Sequence, residues 1–181
     1  MSRLDLYAFF HVNIHFSSIE EERRRDLLDA CYWPLLDFVQ SAPGPIGIEA
    51  TSSTLTELAA LDPAWLETFK SLIASQDAYV IGSGFAQIIG PLAPAAVNRE
   101  NLQVGAADYT RLLGFDPALY LVNEQAISRG LVDLYAEHKV GGLLTDWDNI
   151  AVAQPNLERD WQYRPCRLAG TQAKTVKTLW T

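Results

Sequence analysis

Basic residues, sulfur and histidine are all scarce in this chain of 181 residues. Lys and Arg total 14 against 22 Asp and Glu, a formal net charge of -8. A nucleic-acid partner would ask for a basic face, so none is expected. A polybasic membrane anchor is excluded on the same ground. No apolar run reaches the roughly 18 residues that a membrane helix needs. The apolar stretch Leu6–Val12 has no basic leader and no small-residue cleavage site, so it reads as a strand and not as a signal peptide. Cys31 and Cys166 stand 135 positions apart. That gives no disulfide framework and no zinc spacing, and it suits a reducing, cytoplasmic setting. With three histidines in all, neither a metal nor a cofactor is expected. Gly82-Ser83-Gly84 lacks the third glycine of a dinucleotide-binding turn.

What is present is an ordinary globular composition, 49% hydrophobic and 20% charged, enough to bury one core. Short apolar runs at Leu4–Val12, Pro45–Ala50, Ala78–Ile81, Ala118–Val122 and Gly141–Thr145 alternate with longer helical stretches. Apart from Asp5 they carry no charge before their last residues, the pattern of parallel strands buried on both faces. Helix signals lie between them. Ser17 and Glu20 have capping-box spacing. Glu20–Arg25 reads as a solvated helix face, with Leu27, Leu28 and Cys31 as the inner stripe, and Pro34 interrupts or restarts that helix. Asp62-Pro63 is an N-cap followed by proline, and Trp65, Leu66, Phe69, Leu72 and Ile73 then repeat at helical spacing. Asn98 caps a helix that Gly114 stops, and Ser128 caps another. The expected fold class is α/β, a parallel β/α barrel-like or doubly wound sheet. Residues 1–150 form a β/α barrel-type domain, and 151–181, a turn at Gln154-Pro155-Asn156 and a polar, basic tail, belong to the same domain.

In such folds chemistry gathers at the carboxyl ends of the strands. Those ends carry His11, Asn13 and His15; Glu49; Gln87; Asn123-Glu124-Gln125; and Asp146-Trp147-Asp148-Asn149. Each has a structural alternative. His11 fits a core histidine, Glu49 a cap for a helix from Thr51 or Ser52, and Glu124 a capping acid. Asp146 and Asp148 fit a surface loop, and Gln87 a backbone partner. As a set, carboxylates, amides, histidine and tryptophan suit a carbohydrate, with polar groups on the hydroxyls and indole on the apolar ring face. Two carboxylates about 5 Å apart hydrolyse or transfer a glycoside with retention, and a wider pair inverts.

The ordered stretches His11-Val12-Asn13, Gly47-Ile48-Glu49-Ala50-Thr51, Ile81–Gln87, Leu121-Val122-Asn123-Glu124-Gln125 and Asp146–Asn149 resemble glycoside hydrolase family 57, α-glucan-acting enzymes with an incomplete (β/α)7 barrel. The resemblance spans about residues 5–150. It implies a catalytic nucleophile at Glu124 and substrate-binding roles for His11 and Glu49, with Asn13, Gln87, Trp147 and Asp148 beside them. Asn13 stands where the family's first motif has a second histidine. The family's general acid is an aspartate on a late strand. Asp146 is the candidate here, only 22 residues after Glu124. The expected function is therefore retaining hydrolysis or transfer of glycosidic bonds on an oligo- or polysaccharide. The alternative is a truncated or non-catalytic binding relative, which the apolar ending at Trp180 favours. A metal-dependent polysaccharide deacetylase would need an aspartate with two placed histidines, and His11, His15 and His138 are the only ones to supply them. Self-association is a further expectation if missing strands leave an apolar seam.

Overall fold

A computed structural model describes residues 7–15, 19–153 and 158–181. The strand start at Leu4, the cap at Ser17 and the turn at Gln154–Asn156 lie outside the described residues. The chain divides into two compact units, Met1–Ile81 and Gly82–Thr181.

In the first unit β1 (Phe9–Val12) pairs in parallel with β2 (Ile46–Ala50), and β2 with β3 (Ala78–Gly82). Between β1 and β2 lie α1 (Arg24–Leu27), a π-helical turn over Leu28–Tyr32, and α2 (Trp33–Ser41). Between β2 and β3 lie α3 (Ser52–Leu61) and α4 (Pro63–Ala74). β2 is buried throughout, Glu49 included, as its largely apolar sequence predicts. β1 is not, because Phe10 and His11 are exposed on a strand whose described pairing is with β2 alone. The Asp62 carboxylate caps α4 by accepting from Ala64 N–H at 3.1 Å. Behind it Trp65 and Phe69 are fully buried with ring centroids 5.4 Å apart, and the Trp65 indole donates to the Tyr32 carbonyl at 3.0 Å. The charge run is solvent-exposed, as expected, except at the part-buried Arg24. Arg24 reaches Glu57 at 2.9 Å, and Arg25 reaches the Leu61 carbonyl and Asp62.

The expected inner stripe of the first helical region is off by one. Leu28 is buried but Cys31 is exposed, and Tyr32 takes the inward place. The π turn is the cause. It fits one extra residue into a turn just before Pro34, whose ring displaces the preceding helical carbonyl and removes an N–H.

The second unit contains α5 (Ala95–Leu113), β4 (Leu119–Leu121), α6 (Arg129–Glu137), β5 (Gly142–Thr145), α7 (Trp147–Ala153), β6 (Cys166–Ala169) and β7 (Thr175–Trp180). Strand β5 pairs in parallel with β4 on one side and β7 on the other, and β6 closes antiparallel on β7. The polar tail is thus a hairpin. Its second strand alternates, with Val176, Thr178 and Trp180 buried. Pro94 stands at the N-cap of α5, and Asn98 works one turn later by donating to the carbonyls of Gly90 and Ala93. Gly114 ends the helix in the left-handed conformation at φ 88°. Ser128 caps α6 by accepting from Leu131 N–H.

One stripe of α6, spaced by four residues, grips the hairpin turn. Arg129 donates to the Gly170 carbonyl at 2.7 Å. Asp133 is buried and accepts from the Thr171 hydroxyl and from the N–H groups of Thr171 and Gln172. Glu137 pairs with Lys174 at 3.1 Å and with Arg99 at 3.3 Å. The Thr171 hydroxyl and these backbone donors hold the Asp133 carboxyl below its ordinary range, and Lys174 and Arg99 do the same for Glu137. The observed architecture is α/β with mostly parallel strands, as the sequence predicts. No helix among the described residues is long and apolar enough to cross a membrane.

Candidate functional site

Every sequence-predicted site residue lies at or just after the carboxyl end of a strand. In the first unit the parallel register sets His11 on β1 beside Glu49 on β2. Their side chains meet, His11 Nδ1 against Glu49 Oε2. Glu49 is fully buried and its Oε1 has no hydrogen-bond partner among the described residues. It does not cap the following helix. Thr51 does, accepting from Thr54 N–H at 3.2 Å. A buried carboxylate held against a half-exposed imidazole is costly to desolvate, and the contact fixes which ring nitrogen faces the acid. Asn13 is part-buried, and its carbonyl accepts from the Tyr32 hydroxyl at 2.9 Å.

In the second unit the loop after β3 is clamped from three sides. Tyr109 on α5 accepts from Ser83 N–H at 3.1 Å and donates to the Gly84 carbonyl at 3.2 Å. Asn101 on the same helix accepts from the N–H groups of Ala86 and Phe85. Asn123, just past β4, donates to the carbonyls of Ser83 and Ala86. The clamp needs glycine at position 105, where a Cβ would come 2.7 Å from the Gly84 backbone. Gln87 follows this loop and is part-buried.

Glu124 comes next after Asn123 and is exposed. Its backbone is left-handed at φ 52°, and so is that of Gln125 at φ 55°. Two consecutive side-chain-bearing residues in this region store strain that the surroundings must hold. The restraints are visible. Gln125 N–H donates to the Val122 carbonyl at 3.0 Å, Ala126 N–H to the Asn123 carbonyl at 3.2 Å, and the Asn149 amide to the Gln125 carbonyl at 3.3 Å. Glu124 and Gln125 line a groove of about 830 Å³. Trp147, Asn149, Trp161, Arg129, Arg167 and Trp180 line it too.

After β5, Asp146 Oδ1 accepts from Asp148 N–H at 2.9 Å, the contact of a residue that opens a helix. Trp147 is buried and packs edge-on against Trp180 with centroids 5.2 Å apart. Asp148 is exposed. The structure thus brings His11 to Glu49, Glu124 to Trp147 in one groove, and Asp146 to the backbone of Asp148. Residues that the sequence reading passed over are Gln125 and Asn149, quoted there only as neighbours, and Trp161 and Trp180. Trp180 sits in an alternation, Val176-Thr178-Trp180, that the polar residues of the tail mask. Trp161 had no periodic context to mark it. Among the described residues no group of three His, Cys, Asp or Glu side chains is placed to hold a metal ion.

No protein-family model and no curated protein matches the chain. Solved structures do. A 4-alpha-glucanotransferase from Thermococcus litoralis is 16% identical with a TM-score of 0.83, covering 99% of this chain and 28% of that one. The alpha-amylase AmyC from Thermotoga maritima is 15% identical with a TM-score of 0.78, covering 99% and 46%. A GH57-type branching enzyme from Pyrococcus horikoshii is 12% identical with a TM-score of 0.69, covering 96% and 46%. At these identities the likeness shows the fold. The chain spans less than half the length of these solved relatives.

Proposed function

We propose that this chain carries the nucleophile side of a carbohydrate-active site of glycoside hydrolase family 57 type, acting on α-linked glucan. The observation that carries the reading is Glu124, a solvent-facing carboxylate just after the parallel strand β4, pinned in a strained bend at the rim of a tryptophan-lined groove. Strain of this kind gathers where a side chain must be aimed at a ligand. The three solved relatives named above, a glucanotransferase, an amylase and a branching enzyme, support the substrate class.

In this reading the Glu124 carboxylate attacks the anomeric carbon. The glycosidic C–O bond breaks as a carboxylic acid gives its proton to the leaving oxygen, and a glycosyl ester forms. Water, or a sugar hydroxyl in transfer, then attacks the anomeric carbon of this ester and yields its proton to the same acid, now a base. Glu124 leaves as the carboxylate. Asp146 takes the acid role, and His11, Asn13, Glu49, Gln87, Trp147 and Asp148 contact or orient the sugar. Residues 1–150 supply the catalytic strand ends, and 151–181 extend the same domain.

A specific observation favours a second reading. Asp146 spends one oxygen on the N–H of Asp148. An acid committed to a cap is poorly placed to shuttle a proton, and a chain without that shuttle binds sugar without turnover.

The test is conversion of maltoheptaose to shorter or longer products, resolved by chromatography with mass spectrometry so that hydrolysis, transfer and azide products are each seen. Glu124→Ala should lose at least about 10³-fold in rate, and azide should restore turnover as a glycosyl azide, because a small anion fits the space the carboxylate left. An unchanged rate in Glu124→Ala would sink the assignment. Wild-type binding with no turnover selects the second reading.

A further inference from the structure

We infer that Gln125 and Trp161 form a sugar subsite in the groove beside Glu124, the amide bonding ring hydroxyls of a neutral oligosaccharide and the indole packing on an apolar pyranose face. The inference rests on the reading of Glu124 above for what adjoins the subsite. It deepens that reading by naming two residues that neither composition nor spacing marked.

Three observations carry it. The first is an orphan. Gln125 lines the groove, and its Oε1 is buried with no hydrogen-bond partner among the described residues. Buried acceptors in native proteins have partners, so one left without at a groove wall is matched by what enters the groove. The backbone of Gln125 is meanwhile secured twice, through its N–H to Val122 and through its carbonyl from Asn149. The side chain therefore stands on a fixed base, held in a backbone conformation that a glutamine does not adopt cheaply.

The second is Trp161, which lines the same groove from the helical turn Arg159–Tyr163 and is 39% exposed. Trp147 and Trp180 also line it but are packed edge-on against each other and largely buried. Trp161 is the large aromatic of this groove left facing solvent, and an indole face is a good surface for the C–H side of a sugar ring.

The third is charge. Each of the two guanidinium groups at this wall gives an N–H to the hairpin, Arg129 to the Gly170 carbonyl and Arg167 to the Thr175 hydroxyl at 3.3 Å. The Glu124 carboxylate in the same lining offsets part of their charge and disfavours a polyanion. Amides, a hydroxyl at Ser128 and indole in a cleft of about 830 Å³ suit a neutral polyol.

The experiment is calorimetric titration of maltoheptaose into the full chain carrying Glu124→Gln, so that nothing turns over during the measurement. In that background Gln125→Leu and Trp161→Ala should each weaken binding roughly tenfold or more, and Trp161→Phe, which keeps a flat ring, should recover most of the loss. Circular dichroism melts of each variant separate lost binding from lost folding. Unchanged affinity in Gln125→Leu and Trp161→Ala overturns the subsite, as does absence of heat up to about 10 mM sugar. Neither result depends on the turnover of wild type or on azide rescue of Glu124→Ala, so the subsite and the nucleophile fail separately.

Discussion

At Glu124 and Gln125 the chain holds φ values of 52° and 55° with full side chains in place. Glycine adopts this region freely, so Glu124→Gly should raise stability by about 1 kcal/mol in urea melts while removing the carboxylate. A gain in stability at the cost of activity is the mark of a residue kept for chemistry. Gly170 behaves in the opposite sense. A Cβ there would overlap the Asp133 carboxylate. Gly170→Ala should cost about 1–3 kcal/mol in the same assay, because the carboxylate must move off the N–H groups of Thr171 and Gln172. Burial, and then the Asp116 carboxylate that accepts its O–H, push the Tyr120 phenol far up. Tyr120 should stay protonated through any alkaline titration that leaves the protein folded, read by ultraviolet difference absorbance.

The elements show where local signals suffice. The four later predicted strands lie within a residue of the observed β2, β3, β4 and β5, because short apolar runs between turn residues have few other uses in a chain of this composition. The Asp62, Ser128 and Gly114 signals also hold, since each is a contact within three or four residues. Replacing Gly114 by Ala should cost α5 about 1 kcal/mol, measured by chemical denaturation. What was illegible depended on distance or phase. The hairpin β6–β7 carries its inward face on Val176, Thr178 and Trp180, and threonine beside Lys177 reads as polar until the α6 stripe and β5 are there to cover it. The π turn moved Tyr32 inward in place of Cys31, a shift set by Pro34 and invisible to a fixed helical period. At the site, the pairing of His11 with Glu49 followed from strand ends that turned out to be in register. Gln125 did not stand out, because a backbone bend and an unpartnered amide oxygen have no sequence signature.

At the scale of the molecule, acid is the informative variable. Asp133 and Glu137 titrate lower in the folded chain than in the unfolded one. Their stabilisation is therefore present above the unfolded carboxyl range near pH 4 and is lost as pH falls through the folded values. Melting temperature by circular dichroism should hold level from about pH 8 to 5 and drop below about pH 4. Asp133→Asn should lower it at neutral pH and flatten that drop. The same three side chains of α6 that hold the hairpin also hold a wall of the groove, for β6 contributes Cys166 through Ala169 to it. That wall is fastened by ions and hydrogen bonds at a turn, and the sheet beneath by apolar packing. Acid below about pH 4 should therefore shorten the residence time of a bound sugar as these contacts are lost, so that the groove would work as a clasp with its own release condition.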